Sequence, residues 1–146
     1  MFRMTRLTDY GMVLLTCVAR DPRGPARSAR DLAEEARLPR PTASKILKKL
    51  AHHGVLEARR GVKGGFTLAR PAREIPVAEI VAALEGPVGL TVCSTRHERC
   101  GLEGVCGVRN TWMRINRAVY DALSGITLAD MIRPLRPPRA AGRKAP

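Results

Sequence analysis

"SARDLAEEARLPRPTASKILKKLAHHGVLEARRGVKGGFTLAR", residues 28–70, decides the fold. Ser28 stands three residues before Asp31, a variant of the capping box that opens a helix over 28–38. "PRP" at 39–41 breaks the chain, and Pro41 in a first turn suits the start of a second helix. That helix runs to Gly54, a natural C-terminal stop. At ~100° per residue, Ala43, Ile46, Leu47 and Leu50 share one side. Thr42, Ser44, Lys45, Lys48 and Lys49 share the other. The first side packs into a core; the second offers hydroxyls and ammonium groups to a groove. Two short helices joined by a tight turn, the second polar and basic outward, match a helix-turn-helix. Taken alone, the pattern also describes an ordinary amphipathic helix with a solvated face.

The residues that follow separate these readings. "VLEARRGVKGGFTLAR" (55–70) alternates like two strands around a glycine-rich turn, where Arg59, Arg60 and Lys63 crowd together. A basic hairpin directly after a helix-turn-helix is a wing. Its arginines suit a narrow minor groove, and its glycines let the turn approach a backbone closely. A phosphate-cradling glycine loop would need a helix after the glycines, and a strand follows here. Arg40, at the entrance of the second helix, joins the expected DNA-facing set.

Upstream, residues 8–20 read as a helix capped by Thr8, with apolar residues at 10, 13, 14, 17 and 18. Cys17 lies on that stripe as a small buried hydrophobe. "DPRGP" (21–25) is a loop. Downstream, "PVAEIVAALEG" (76–86) is a short amphipathic helix stopped by Gly86. Residues 108–125 make a longer one, in which Val108, Trp112, Ile115, Val119, Ala122 and Leu123 approximate an a/d seam. Such a helix has little of its own chain to bury against, so pairing with a second copy is the economical solution. Packing on the first helix is the alternative, and the two are compatible. Thr127 caps a last turn over 127–132, and the Pro- and Arg-rich residues 133–146 have the composition of a disordered tail.

Charge follows the same division. Residues 1–73 hold 16 Lys+Arg against 6 Asp+Glu, residues 74–132 hold 5 against 7, and residues 133–146 hold 5 against none. A basic module poor in aromatics is ill suited to stacking single-stranded bases and better suited to duplex phosphates. A solvated basic surface is the ordinary alternative. No apolar run approaches the roughly 18 residues that span a membrane. "MFRMTRLTDYG" lacks the apolar core of a signal peptide, so a cytoplasmic protein is expected. A reducing cytoplasm argues against structural disulfides and for metal or redox use of clustered cysteines.

Such a cluster exists. "CSTRHERCGLEGVC" (93–106) holds Cys93, Cys100 and Cys106, three of the chain's 4 cysteines. Thiolates are the usual protein ligands of iron–sulfur clusters. Gly101, Gly104 and Gly107 would let the loop fold around one. The gaps suit that better than zinc, whose structural sites use tighter cysteine pairs; zinc remains the metal alternative. No base or acid constellation accompanies the thiols as catalysis would require, so neither an enzyme nor a small-molecule substrate is expected.

"RLTDYGMVLL", the stretch from "ARDLAEEARL" to "GGFTLAR", "VAEIVAALEG", and three cysteines before a long helix ending in "ITLAD" resemble the winged-helix regulators that include IscR and NsrR. The resemblance spans about residues 4–132 and is strongest toward members that regulate the SUF iron–sulfur assembly operon. It implies an iron–sulfur cluster on Cys93, Cys100 and Cys106, with [2Fe–2S] expected ahead of [4Fe–4S]. The gap between the first two cysteines is one residue longer than is usual in the family. IscR-like members take a fourth ligand from a histidine three residues after the last cysteine, where this chain has Arg109, which cannot ligate iron. NsrR-like members take it from an aspartate at the start of the first helix of the other subunit, matched here by Asp9. His97, inside the loop, is a further candidate.

The expected fold class is therefore mainly α with a small β-wing: a winged helix-turn-helix plus a long C-terminal dimerisation helix. The expected parts are a DNA-binding domain over 4–73, a cluster-binding loop and dimerisation region over 74–132, and a basic tail over 133–146. The expected function is a homodimeric iron–sulfur-sensing regulator, acting as a repressor of cluster assembly genes on double-stranded operator DNA. A nitric oxide or redox regulator, a clusterless thiol or zinc sensor, and an iron–sulfur electron-transfer or assembly protein are the alternatives.

Overall fold

The computed structural model describes residues 4–94, 100, 101 and 104–132. The expected tail over 133–146 and His97 lie outside the described residues, as does the side chain of Cys93. In chain order the elements are α1 (Arg6–Ala19), α2 (Ala29–Glu35), α3 (Arg40–His52), β1 (Leu56–Arg59), β2 (Gly65–Leu68), α4 (Val77–Glu85), α5 (Arg109–Ser124) and α6 (Leu128–Ile132). Single 3₁₀ turns lie at Ala72–Glu74 and Val92–Ser94.

The first helix starts earlier than its sequence suggests. Thr5, not Thr8, is the N-cap, and its hydroxyl accepts the Leu7 N–H at 3.2 Å. Thr8 is buried within the helix, where its hydroxyl donates to a Glu85 carboxylate oxygen at 2.5 Å. Thr5 has the extended backbone that the role needs, and Thr8 faces inward.

Ser28 caps α2 as expected, accepting the Asp31 N–H at 3.1 Å. The helix ends at Glu35, short of residue 38, because Arg37 adopts a left-handed φ of 53° that closes the turn. α3 then begins with Pro41 in its first turn and stops at Gly54, whose φ is +75°. Ala43, Ile46, Leu47 and Leu50 are its buried face.

One hydrophobic core joins these helices. Leu14, Leu15, Leu32, Ile46, Leu47, Leu50, Ile75, Ile80, Leu84 and Leu128 belong to a single buried cluster. This buried cluster runs across the expected boundary at 73/74. α4 packs against α1 where Gly11 leaves room; a Cβ there would lie 2.3 Å from the Leu84 side chain. After α5 the chain returns to this core. The Val77 N–H donates to Ile126 O and the Leu128 N–H to Ile75 O, each at 2.8 Å, which seats Leu128 inside.

The wing is an antiparallel hairpin with Leu56 opposite Leu68, Ala58 opposite Phe66 and Arg59 opposite Gly65. A third chain segment, which the sequence assigns to neither the loop at 21–25 nor the helix from 28, pairs with it. Arg27 and Phe66 exchange both backbone hydrogen bonds, at 3.1 and 2.8 Å. Gly65 permits this approach, since a Cβ there would stand 2.4 Å from the Arg27 carbonyl oxygen.

α5 stands apart in its burial. None of its residues is buried, and Trp112, Met113, Ile115 and Tyr120 are all exposed. One tie to the rest runs through Asn116, whose side-chain oxygen accepts the Leu90 N–H at 3.1 Å and whose amide donates to Val88 O at 3.4 Å; α5 also touches α4. The helix is thereby fastened to the segment that leads into the cysteine loop.

Candidate nucleic-acid interface and cysteine loop

Lys45 and Lys48 are exposed along the outer face of α3, with Thr42 and Ser44 half-buried beside its N-terminal end and Arg40 exposed at its start. Arg59, Arg60 and Lys63 are exposed around the wing turn. Arg59 is engaged loosely by Glu57, 3.8 Å away on the same strand.

Lys49 departs from expectation. It is half-buried, and its Nζ donates to the Leu84 carbonyl at 2.7 Å, at the end of α4. Lys48 and Lys49 stand ~100° apart around the helix, so one groove cannot take both side chains along the same direction. The second lysine serves α4 and leaves the outward set.

The same end of α4 holds Glu85, which the sequence reading passed over. Its Oε1 accepts from the Thr5 N–H at 3.0 Å and from the Thr5 and Thr8 hydroxyls, each at 2.5 Å. Hydrogen bonds from Thr5 and then Thr8 hold its carboxyl below the usual range, and the Lys49 charge adds to this. Three elements thus meet here: the first turn of α1, the end of α4 and the recognition helix α3. The residues are up to 80 positions apart in sequence, so no local pattern announces the junction.

Asp9 lies in that first turn of α1, exposed, where its charge suits the helix dipole. It borders an open recess shared with Met4, Thr5 and Arg6. Its carboxylate makes no ion pair among the described residues. Cys100 and Cys106 are free thiols, each half-buried. Around Gly101, Gly104 and Gly107 an added Cβ would meet nothing within 4 Å, so the described part of the loop is uncrowded. No group of three or more His, Cys, Asp or Glu side chains converges among the described residues. The donor chemistry nonetheless fits an iron–sulfur cluster: two half-buried free thiols stand in a glycine-rich segment, and Asp9 offers an exposed carboxylate on α1. Arg109 sits half-buried at the start of α5. Cys17 is a different kind of cysteine. It is 3 % exposed, and burial followed by the nearby Glu35 carboxylate pushes its thiol up, which suits the buried role expected for it.

An outward basic recognition helix and a basic two-stranded wing on one helical core define a winged-helix DNA-binding regulator. Residues 4–134 match the family model Rrf2, described as an iron-dependent transcriptional regulator, and the chain belongs to this family. Its members are DNA-binding transcription regulators, not enzymes. The chain is 34 % identical over 132 residues to the HTH-type transcriptional repressor NsrR of Streptomyces coelicolor, covering 89 % of this chain and 88 % of that protein. Among solved structures it is similar to T. potens IscR, with a TM-score of 0.65 and 25 % identity, over 90 % of this chain and 86 % of that one. It shares its fold with CymR, the global cysteine regulator of B. subtilis, with a TM-score of 0.70 and 23 % identity, over 90 % of this chain and 97 % of that one. No helix among the described residues is long and apolar enough to cross a membrane.

Proposed function

We propose that this chain is a cytoplasmic iron–sulfur-dependent transcriptional repressor of cluster assembly genes, acting on operator DNA as a homodimer. The observation that carries the reading is the joining, in one small chain, of an exposed basic helix-turn-helix face to a loop with free, half-buried thiols at Cys100 and Cys106. The similarity to NsrR and to T. potens IscR supports it.

Thr42, Ser44 and Lys45, near the N-terminal end of α3, reach base edges together with Arg40, while Lys48 meets phosphate. Arg59, Arg60 and Lys63 enter the flanking minor groove. The exposed apolar residues of α5 pair with those of a second copy, which doubles the DNA-reading surface. Cys93, Cys100 and Cys106 supply thiolates, and Asp9 of the other subunit supplies the fourth ligand. When bound, the cluster supplies iron that oxygen, nitric oxide or iron shortage can alter. The chain's own residues can pass that change on. Asp9 sits in the turn that Thr5 and Thr8 tie to Glu85, and Lys49 of α3 holds the carbonyl beside Glu85. Movement of that turn therefore reaches the recognition helix through the last turn of α4.

The test is anaerobic purification followed by a visible spectrum with iron and sulfide analysis. Cluster absorbance is expected in the native chain and in Cys17→Ala, and is expected to vanish in Cys93→Ala, Cys100→Ala and Cys106→Ala. A native chain without iron or sulfide, whose DNA binding follows thiol oxidation instead, would make it a clusterless thiol regulator.

A further inference from the structure

The wing is fastened at its base by a contact that the DNA-facing residues do not use. Arg27 pairs its backbone with Phe66 of β2, and its side chain turns the other way. There Nη1 lies 2.6 Å from Glu35 Oε2 and donates to the Cys17 carbonyl at 3.4 Å. Glu35 is the last residue of α2, directly before the turn into the recognition helix. Arg20, on the far side, holds the other carboxylate oxygen at 3.1 Å. One arginine therefore touches the wing through its backbone and the helix-turn-helix through its guanidinium.

We propose that Arg27 and Glu35 form a strap that sets the angle of the wing to the recognition helix. The strap thereby sets how strongly the flanking minor groove counts in operator choice. Among the described residues, the wing strands meet the rest of the molecule through the inward side of Leu56, Phe66 and Leu68. A two-stranded ribbon held on one side can tilt, and tilt moves the tip furthest. The strap acts against that tilt at the strand edge, where Phe66 is gripped. Its geometry is well suited to the task. The Arg27 side chain is 30 % exposed and that of Glu35 29 %, so the pair is partly shielded from solvent. The Arg27 hydrogen bond holds the Glu35 carboxyl below its usual range. Arg27 and Glu35 are positioning residues; neither needs to touch DNA.

The strap's role rests on the wing acting as a minor-groove contact. The experiment uses the full chain and a duplex obtained by selection from a random library, prepared with A-tract flanks and with G·C-rich flanks. The readout is the ratio of the two affinities by fluorescence anisotropy, with thermal unfolding measured alongside. The native chain should favour A-tract flanks, and Arg60→Ala should lose that preference. Glu35→Gln and Arg27→Met should each cut the ratio by about three- to fivefold, the scale of one partly exposed ion pair. In an Arg60→Ala background, Glu35→Gln should cause no further loss. Arg20→Ala, which removes a different partner of the same carboxylate, should leave the ratio unchanged. If Arg60→Ala leaves the flank preference intact, both the wing reading and the strap are wrong. If Arg60→Ala abolishes it while Glu35→Gln does not change it, the strap alone is wrong. Equal loss on both duplexes, additivity with Arg60→Ala, or unfolding of both strap variants would also reduce the pair to a folding element.

Discussion

Helices α3 and α5 are similar in length and opposite in placement. α3 has 13 residues, four of which form a buried face against the core. α5 has 16 residues and none buried, although its sequence is as clearly two-faced. One helix is completed by its own chain, and its free face is polar and basic. The other leaves its apolar face exposed among the described residues, which is the face proposed to meet a second copy. The recognition unit is thus a finished solid, while the α5 half is an unfinished one, joined to the loop that carries the cysteines.

Deleting core atoms is the strongest way to sharpen this contrast. Leu47→Ala should cost about 2–5 kcal/mol in denaturant unfolding. Ile115→Ala, in a dilute monomeric preparation, should cost far less, because Ile115 is already 41 % exposed. If the two cost the same, the α5 face is not open. Next comes the assembly itself. Ile115→Glu places charge on the proposed seam, and sedimentation should show a shift from dimer toward monomer without loss of helical signal. A dimer unmoved by this change would put the seam elsewhere.

The two adjacent lysines of α3 give a finer test. Lys49→Met leaves the Leu84 carbonyl without its donor and should lower stability by about 1–3 kcal/mol, with the salt dependence of DNA binding nearly unchanged. Lys48→Ala should do the reverse. It should hold stability within about 0.5 kcal/mol and reduce the salt slope by about one unit. Equal effects at both positions would mean that Lys49 leaves its carbonyl when DNA arrives.

The smallest expected effect is in acid. Glu85 has its carboxyl lowered in the folded chain by the Thr5 and Thr8 hydrogen bonds, so the folded state binds fewer protons than the unfolded one there. Its contribution is complete above the ordinary carboxylate value of about 4.3 and is lost as pH falls through the lowered value. Glu85→Gln should flatten that acid limb in pH-dependent unfolding. A limb of native steepness in the variant would assign it to other carboxylates.

Much of this arrangement is legible in the sequence. The buried face of α3, the Ser28 cap, the hairpin and the two-faced α5 follow from periodicity and from glycine and proline placement. What escapes is whatever depends on residues far apart in the chain. Thr8 looks like a cap and is a donor to Glu85; Lys49 looks like a phosphate contact and is a donor to Leu84. Arg27, which the sequence assigns to no element, is a bridge partner of Phe66, and Asn116 reads as a polar position on a helix and is the clasp for residues 88–90. Each is a polar side chain or backbone segment whose partner is chosen by packing. Only the adjacency of Lys48 and Lys49 carries a local hint, since neighbours on a helix diverge.

The base of the wing has a consequence for how such proteins can vary. Phe66 is held from both sides, by Ala58 in the hairpin and by Arg27 beyond it, and Gly65 leaves no space for a side chain. A one-residue insertion in β2 would turn every following side chain to the opposite face and break both pairings. The tip between Arg60 and Gly64 carries no such double constraint. Loop lengthening is therefore tolerable only at the tip, where it would extend the wing's reach along DNA while its anchor stays in register.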